Sequence, residues 1–204
     1  MRKPPSLAGL LLLPVLLAGC KSHPLTDYRP LDKAGMWTSG LEDLKKLDVS
    51  DSEVAQLVAL KNAGVSDDMC IALVGAAHAH QHPFASAAAA RSLNGAGFKD
   101  DQILAIAKSD KLDALSGDAV MLRLIGLSDS TVQTLLQRRI NGLPTLSSAE
   151  IARLKNTQLS EREILARIQN GMTDAQADAE ATARERAQAH SGVGFVHPRG
   201  RRRG

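Results

Sequence analysis

From about residue 41 to residue 190, Ala, Leu, Ile and Val recur at helical spacing. Alternating β-branched runs are few, so the pattern predicts helices throughout. The sharper signal lies at the helix starts. Val49-Ser50-Asp51, Val65-Ser66-Asp67, Leu127-Ser128-Asp129, Leu159-Ser160-Glu161 and Met172-Thr173-Asp174 each place an apolar residue before Ser or Thr and then an acid. Phe98-Lys99-Asp100, Leu115-Ser116 and Leu146-Ser147 are variants. The hydroxyl accepts a backbone N–H that the first helical turn leaves unpaired. The acid favours the positive end of the helix dipole. Glu53, Glu150, Glu163 and Gln176 stand three positions after a cap, the spacing of a capping box. Each apolar residue also has an apolar partner five positions on: Val49/Val54, Val65/Cys70, Phe98/Ile103, Leu115/Val120, Leu127/Val132, Leu146/Ile151, Leu159/Ile164 and Met172/Ala177. That is the hydrophobic staple across a helix N-terminus.

The starts fall into two series. One runs through Val65, Phe98, Leu127 and Leu159, in steps of 33, 29 and 32. The other runs through Val49, Leu115 and Leu146, with a weak start near Phe84 between the first two. The repeating unit is a helix pair of about 32 residues used four times, and residues 63–73 align without gaps on 96–106. Gly64, Gly97 and Gly126 precede the staple, where a left-handed residue ends the helix before; Gln158 takes that place in the fourth copy and predicts a different turn there. Short pairs cannot bury their apolar faces alone, so the expected fold is all-α, an α-solenoid-like stack; the alternative is a compact orthogonal bundle. The period resembles that of tetratricopeptide and ankyrin arrays, without the signatures of either. The last helix, from Thr173 to about His190, has no large apolar face and either projects or closes the stack.

The ends differ in composition. Residues 20–40 carry Pro24, Pro30, Gly35 and Gly40 among few apolar positions and are expected to form a flexible tether. Residues 191–204 are expected to be a disordered basic tail, with 41–190 as the helical domain between them. Residues 1–19 have the order of an export signal. Arg2 and Lys3 come first, then the apolar run Leu7–Leu17 broken by Pro14, then Leu17-Ala18-Gly19-Cys20. The apolar run is too short to span a bilayer. The last four residues resemble the lipobox of bacterial lipoproteins. The resemblance covers the first twenty residues. It implies cleavage after Gly19, a diacylglyceryl thioether on Cys20 and acylation of the new amino terminus. It also implies a place in the bacterial cell envelope, lipid-anchored. By analogy within that family, Lys21 rather than Asp after the cysteine favours the outer over the inner membrane.

Charge and aromatic content narrow the partners. Without Arg2 and Lys3 the chain holds 23 basic against 22 acidic residues. Setting aside Arg199, Arg201, Arg202 and Arg203 leaves 19 against 22, a poor trap for nucleic acid. Those four arginines suit contact with anionic envelope polymers or headgroups, or simply a solvated end. Tyr28, Trp37, Phe84, Phe98 and Phe195 are the whole aromatic content, three of them in the expected tether and tail. Stacking platforms for sugars or single strands need more. With Cys20 lipidated, Cys70 has no disulfide partner and packs as a small hydrophobe.

Phosphate-loop, His-Glu-x-x-His, Cys-x-x-Cys and nucleophile-elbow motifs do not occur, and no cofactor beyond the covalent lipid is implied. Gly192-Val193-Gly194 follows no strand. One cluster has chemistry: His78-Ala79-His80-Gln81-His82. Three imidazoles at alternate positions suit zinc, copper or nickel, and a helical segment would still put His78 and His82 on one face. The plainer account is a polar helix end before Pro83. The leading expectation is a non-enzymatic, lipid-anchored helical-repeat module that binds an envelope protein. A metal-handling lipoprotein using His78, His80 and His82 is the alternative.

Overall fold

The computed structural model describes residues 25–192. Within them the chain is all-helical, with α1 Arg29–Lys33, α2 Thr38–Lys46, α3 Asp51–Asn62, α4 Asp67–Ala79, α5 Ala87–Gly95, α6 Asp100–Ala107, α7 Leu112–Leu124, α8 Asp129–Ile140, α9 Ser148–Asn156, α10 Glu161–Gln169 and α11 Asp174–Gly192. Each odd helix packs on the next odd one, from α1 on α3 to α9 on α11. α2 packs on α4 and α4 on α6. Residues of α6 and α8 line a common small cavity. The core lies between these two series.

The helix starts follow the local chemistry. Ser50, Ser66, Ser128, Ser147 and Ser160 are N-caps whose side chains accept a backbone N–H three residues on. The boxes of Ser50 with Glu53 and Ser160 with Glu163 are closed in both directions. Thr173 N–H donates to Gln176 Oε1 at 2.9 Å, closing a third. Val49, Val65, Phe98, Leu127, Leu146 and Leu159 are all buried, as are their partners five positions later.

Leu115-Ser116 is the exception. Both lie inside α7, which begins at Leu112, and the Ser116 hydroxyl donates to Asp113 O instead of capping. Asp110 has turned the chain one residue before Lys111, so the helix starts a turn earlier than the Leu-Ser pair suggests. Buried Leu112 opens it, and Lys111 Nζ reaches Arg139 O and Ile140 O at the end of α8.

The turns show a longer period than the helix pair. Every helix-to-helix turn contains one residue with positive φ, and these recur after 61 or 62 positions. Gly35, Gly97 and Gln158 correspond, as do Asp48, Asp110 and Gly171, then Gly64 and Gly126, then Gln81 and Gly142. Gln158, at φ 67°, therefore makes the same turn as its glycine counterparts. Helix lengths repeat too: α3 to α6 have 12, 13, 9 and 8 residues, and α7 to α10 have 13, 12, 9 and 9. The unit is four helices, a long pair followed by a short pair.

An acidic ladder ties the copies together. The first-turn acid of a helix accepts from the N-terminal end of the helix two elements before it. Asp51 takes Asp27 N–H, Asp67 takes Trp37 N–H, Asp113 takes Ser86 Oγ, Glu161 takes Ser128 N–H and Asp174 takes Ser147 N–H, at 2.9, 2.8, 2.6, 3.0 and 2.9 Å. One carboxylate thus faces two helix N-termini.

The expected tether over residues 20–40 is corrected from Leu25 onward. Leu31, Met36, Gly40 and Leu44 are buried, and α1 and α2 form a short helix pair on α3 and α4. Pro30 sits in the first turn of α1, where its missing N–H is unneeded. Gly35 closes that helix at φ 82°. Gly40 is a contact point, since a Cβ there would meet Met36 Cγ at 3.2 Å. What looks like linker composition is helix punctuation. At the other end, α11 packs on α9. Ala177 and Ala181 are fully buried, Arg153 pairs with Asp178, and Arg167 with Glu180 at 2.8 Å.

Candidate functional site

The histidine cluster marks the end of α4. Gln81 N–H donates to His78 O at 2.9 Å and His82 N–H to Ala77 O at 3.3 Å, a left-handed closure at Gln81 (φ 63°) with Pro83 stopping the helix beyond. This closure sends the three imidazoles to three different partners. His78 Nε2 lies 2.7 Å from Glu53 Oε1 on α3. His80 Nε2 lies 3.0 Å from Lys108 O, the C-cap of α6. His82 Nε2 lies 2.7 Å from Asp110 Oδ1 in the α6–α7 turn. The rings of His80 and His82 stack with centroids 6.3 Å apart, while His78 points the other way, to Glu53. Among the described residues, no group of three or more His, Cys, Asp or Glu is placed to hold a metal ion.

Glu53 is the buried centre of one half. Its side chain accepts Ser50 N–H at 2.9 Å, Ser50 Oγ at 2.8 Å and Phe84 N–H at 2.8 Å, beside the His78 contact. Burial works to raise its carboxyl, but these donors outweigh burial and hold it below the usual carboxylate value. The acid of the α3 capping box is thereby also the anchor of the α4–α5 turn.

The other half is open. A cleft of about 310 Å³ is walled by Leu73, Ala77, Phe84, Ala107 and Leu112, with His82, Asp110, Ser86 and Asp113 at its polar side. Ser86 Oγ donates to Asp113 Oδ2, so this hydroxyl is committed to a carboxylate. His82 faces acceptors at both nitrogens, Asp110 at one and Pro83 O at 3.1 Å from the other. Only the doubly protonated ring donates to both. The bond to Asp110 and that to Pro83 O accordingly raise the His82 pKa, and His82 in turn lowers that of Asp110. We expect the His82 ring to titrate above 6.5 by NMR, and Asp110→Asn to bring it back down. The stabilisation this pair gives is present below His82's ordinary pKa and lost as pH rises through the folded value.

The internal repeat separates framework from addition. Pro83 corresponds to Pro144, Ser86 to Ser147 and Asp113 to Asp174, and both serine–acid contacts are rungs of the ladder. His82 corresponds to Leu143 and Asp110 to Gly171. The imidazole–carboxylate pair is therefore particular to this cleft.

No family model and no curated protein matches the chain.

The remaining expected site residues, Cys20 and Arg199, Arg201, Arg202 and Arg203, lie outside the described residues. Cys70 is fully buried, and burial pushes its thiol up to about 12, so it packs as a hydrophobe. No described helix is long and apolar enough to cross a membrane. Nothing local in the sequence marks Glu53 as an anchor or Asp110 as a partner. The match of Pro83 and Ser86 to Pro144 and Ser147 at 61 positions was the available signal.

Proposed function

We propose that this chain is a lipid-anchored protein of the bacterial envelope whose helical stack binds another envelope protein. The anchor reading rests on Arg2, Lys3, the apolar run and Leu17-Ala18-Gly19-Cys20. Two or more acyl chains on Cys20 would hold the protein stably where one holds it marginally. Lys21 favours the outer membrane. No catalytic step is assigned.

The observation that carries the binding reading is the outer face of α7. Ala114, Gly117, Met121 and Leu124 share one side of this helix and are all exposed. Leu124 is 74% exposed and Met121 48%. The stripe starts at the cleft, which Ala114 helps to line, so the His82–Asp110 pair stands at one end of an apolar track. Single exposed hydrophobes are ordinary; an aligned pair beside a cleft with a charged rim suits a partner segment.

Two measurements test this. Cells fed labelled fatty acid should label the wild-type chain and leave Cys20→Ser unlabelled, because the thioether has no other attachment point. An unlabelled wild type would remove the lipoprotein reading. A photo-crosslinking side chain at position 124 should give one discrete adduct in intact envelopes, abolished by Met121→Asp. A labelled, membrane-bound chain with no adduct there would remove the binding reading alone.

A further inference from the structure

The folded body begins much closer to Cys20 than a tether over residues 20–40 would allow. Thr26 Oγ1 donates to Val49 O at 2.8 Å, Asp27 N–H donates to Asp51, and Tyr28 packs against the core. Only Lys21 to Leu25 separate Cys20 from the first residue the body holds. However they are arranged, the six steps from Cys20 to Thr26 span at most about 20 Å. A headgroup layer takes up roughly 5–8 Å of that. The remaining gap is at most about 12–15 Å, a little more than one helix diameter.

The surface so placed is unusual for this protein. Leu25 is 98% exposed and Trp37 76%, the two most exposed large apolar side chains among the described residues. Trp37 is the N-cap of α2 and Leu25 lies just before α1, where Thr26 and Asp27 are held at the N-terminus of α3; Trp37 N–H is held by Asp67 at the N-terminus of α4. Arg29 of α1 and Lys46 of α2 are also well exposed, at 84% and 73% of their side chains, each paired with a neighbouring acid, Asp27 and Asp43, at 2.7 Å. An indole prefers the boundary between hydrocarbon and water, and long basic side chains bury their stems there while keeping the charge in water.

We propose that this end of the body lies on the lipid surface, with Leu25 and Trp37 in the headgroup layer, as a second contact beside the acyl chains. It rests on the lipoprotein reading of Cys20. The contact fixes the stack's orientation, so that the α7 stripe is presented at a set height rather than swinging on a leash.

Trp37 is the only tryptophan in the chain, so its emission has one source. The lipidated full chain would be placed in vesicles of phosphatidylethanolamine and phosphatidylglycerol carrying a lipid spin-labelled near the headgroup. We expect blue-shifted Trp37 emission that the labelled lipid quenches and aqueous iodide reaches poorly. Leu25→Asp should reduce the lipid quenching by about twofold or more while leaving the helical circular dichroism intact. If the protein floats with the vesicles and Trp37 is quenched by iodide as fully as in the Cys20→Ser protein, the contact is overturned and the anchor stands. If the purified chain carries no lipid and does not float, the anchor falls and the contact with it.

Discussion

Glu53→Ala should destabilise the protein by about 3–5 kcal/mol, the range seen when one member of a buried, hydrogen-bonded charged set is removed. Glu53 is 2% exposed and accepts from Ser50, Phe84 and His78. Alanine would leave the Ser50 and Phe84 N–H groups without an acceptor and open a cavity between α3 and the α4–α5 turn. Glu53→Gln should cost less, about 1–3 kcal/mol, because an amide keeps one accepting oxygen but presents N–H to donors on its other side. The same carboxylate sets an acid limit. Its pKa is depressed in the folded state, so its contribution is complete above the usual 4.5 and is lost as pH falls through the lower folded value. Urea midpoints measured from pH 7 to pH 3 should fall for the wild type and flatten for Glu53→Gln. Equal acid sensitivity in both would remove Glu53 as the cause.

What the sequence makes legible is what short-range physics decides. A serine cap, an acid beside it and an apolar pair five positions apart act within two helical turns, so Val65-Ser66-Asp67 and Leu159-Ser160-Glu161 announce their helices. The same locality explains the errors. Pro30, Gly35 and Gly40 look like linker until Leu31 and Met36 are seen against α3 and α4, and nothing within a few residues reports that contact. Leu115-Ser116 has the form of a cap, but the preceding turn at Asp110 has already launched the helix. The rungs of the ladder join residues 24–33 positions apart, and Asp67 or Glu161 carries no mark that distinguishes a dipole partner from a cross-repeat acceptor. The three histidines take separate partners for a related reason. His-x-His-x-His shares a face only if the backbone stays regular, and the left-handed turn at Gln81 splits it. The chain's own repeat carries more than its local pattern, because Pro83/Pro144 and Ser86/Ser147 hold the frame while His82/Leu143 does not.

Leu159→Ala should cost about 2–4 kcal/mol, and Ser160→Ala about 1 kcal/mol. Leu159 is buried against the core at the entry to α10, with Ile164 fully buried as its staple partner. Truncation removes buried methyl groups and leaves a gap the flanking turn cannot fill without moving Gln158, already at positive φ. Ser160→Ala removes the Oγ bond from Glu163 N–H and the Oγ–H donated to Glu163 Oε2 at 2.6 Å, while Glu163 still accepts the Ser160 N–H at 2.9 Å. Where the loss appears along the chain is the stronger test. In a stack each unit is stabilised chiefly by its neighbours, so damage at α10 should open α9, α10 and α11 first. Glu161 accepts Ser128 N–H at 3.0 Å, and that rung is the route by which the damage would reach α8. Hydrogen exchange on Leu159→Ala should show amides of 148–190 exchanging faster, with α3 and α4 still protected as in the wild type. Val65→Ala, the corresponding staple between α3 and α4, should reverse the pattern. Equal loss of protection throughout in both variants would mean one indivisible core, the behaviour of a compact bundle rather than of repeats in series.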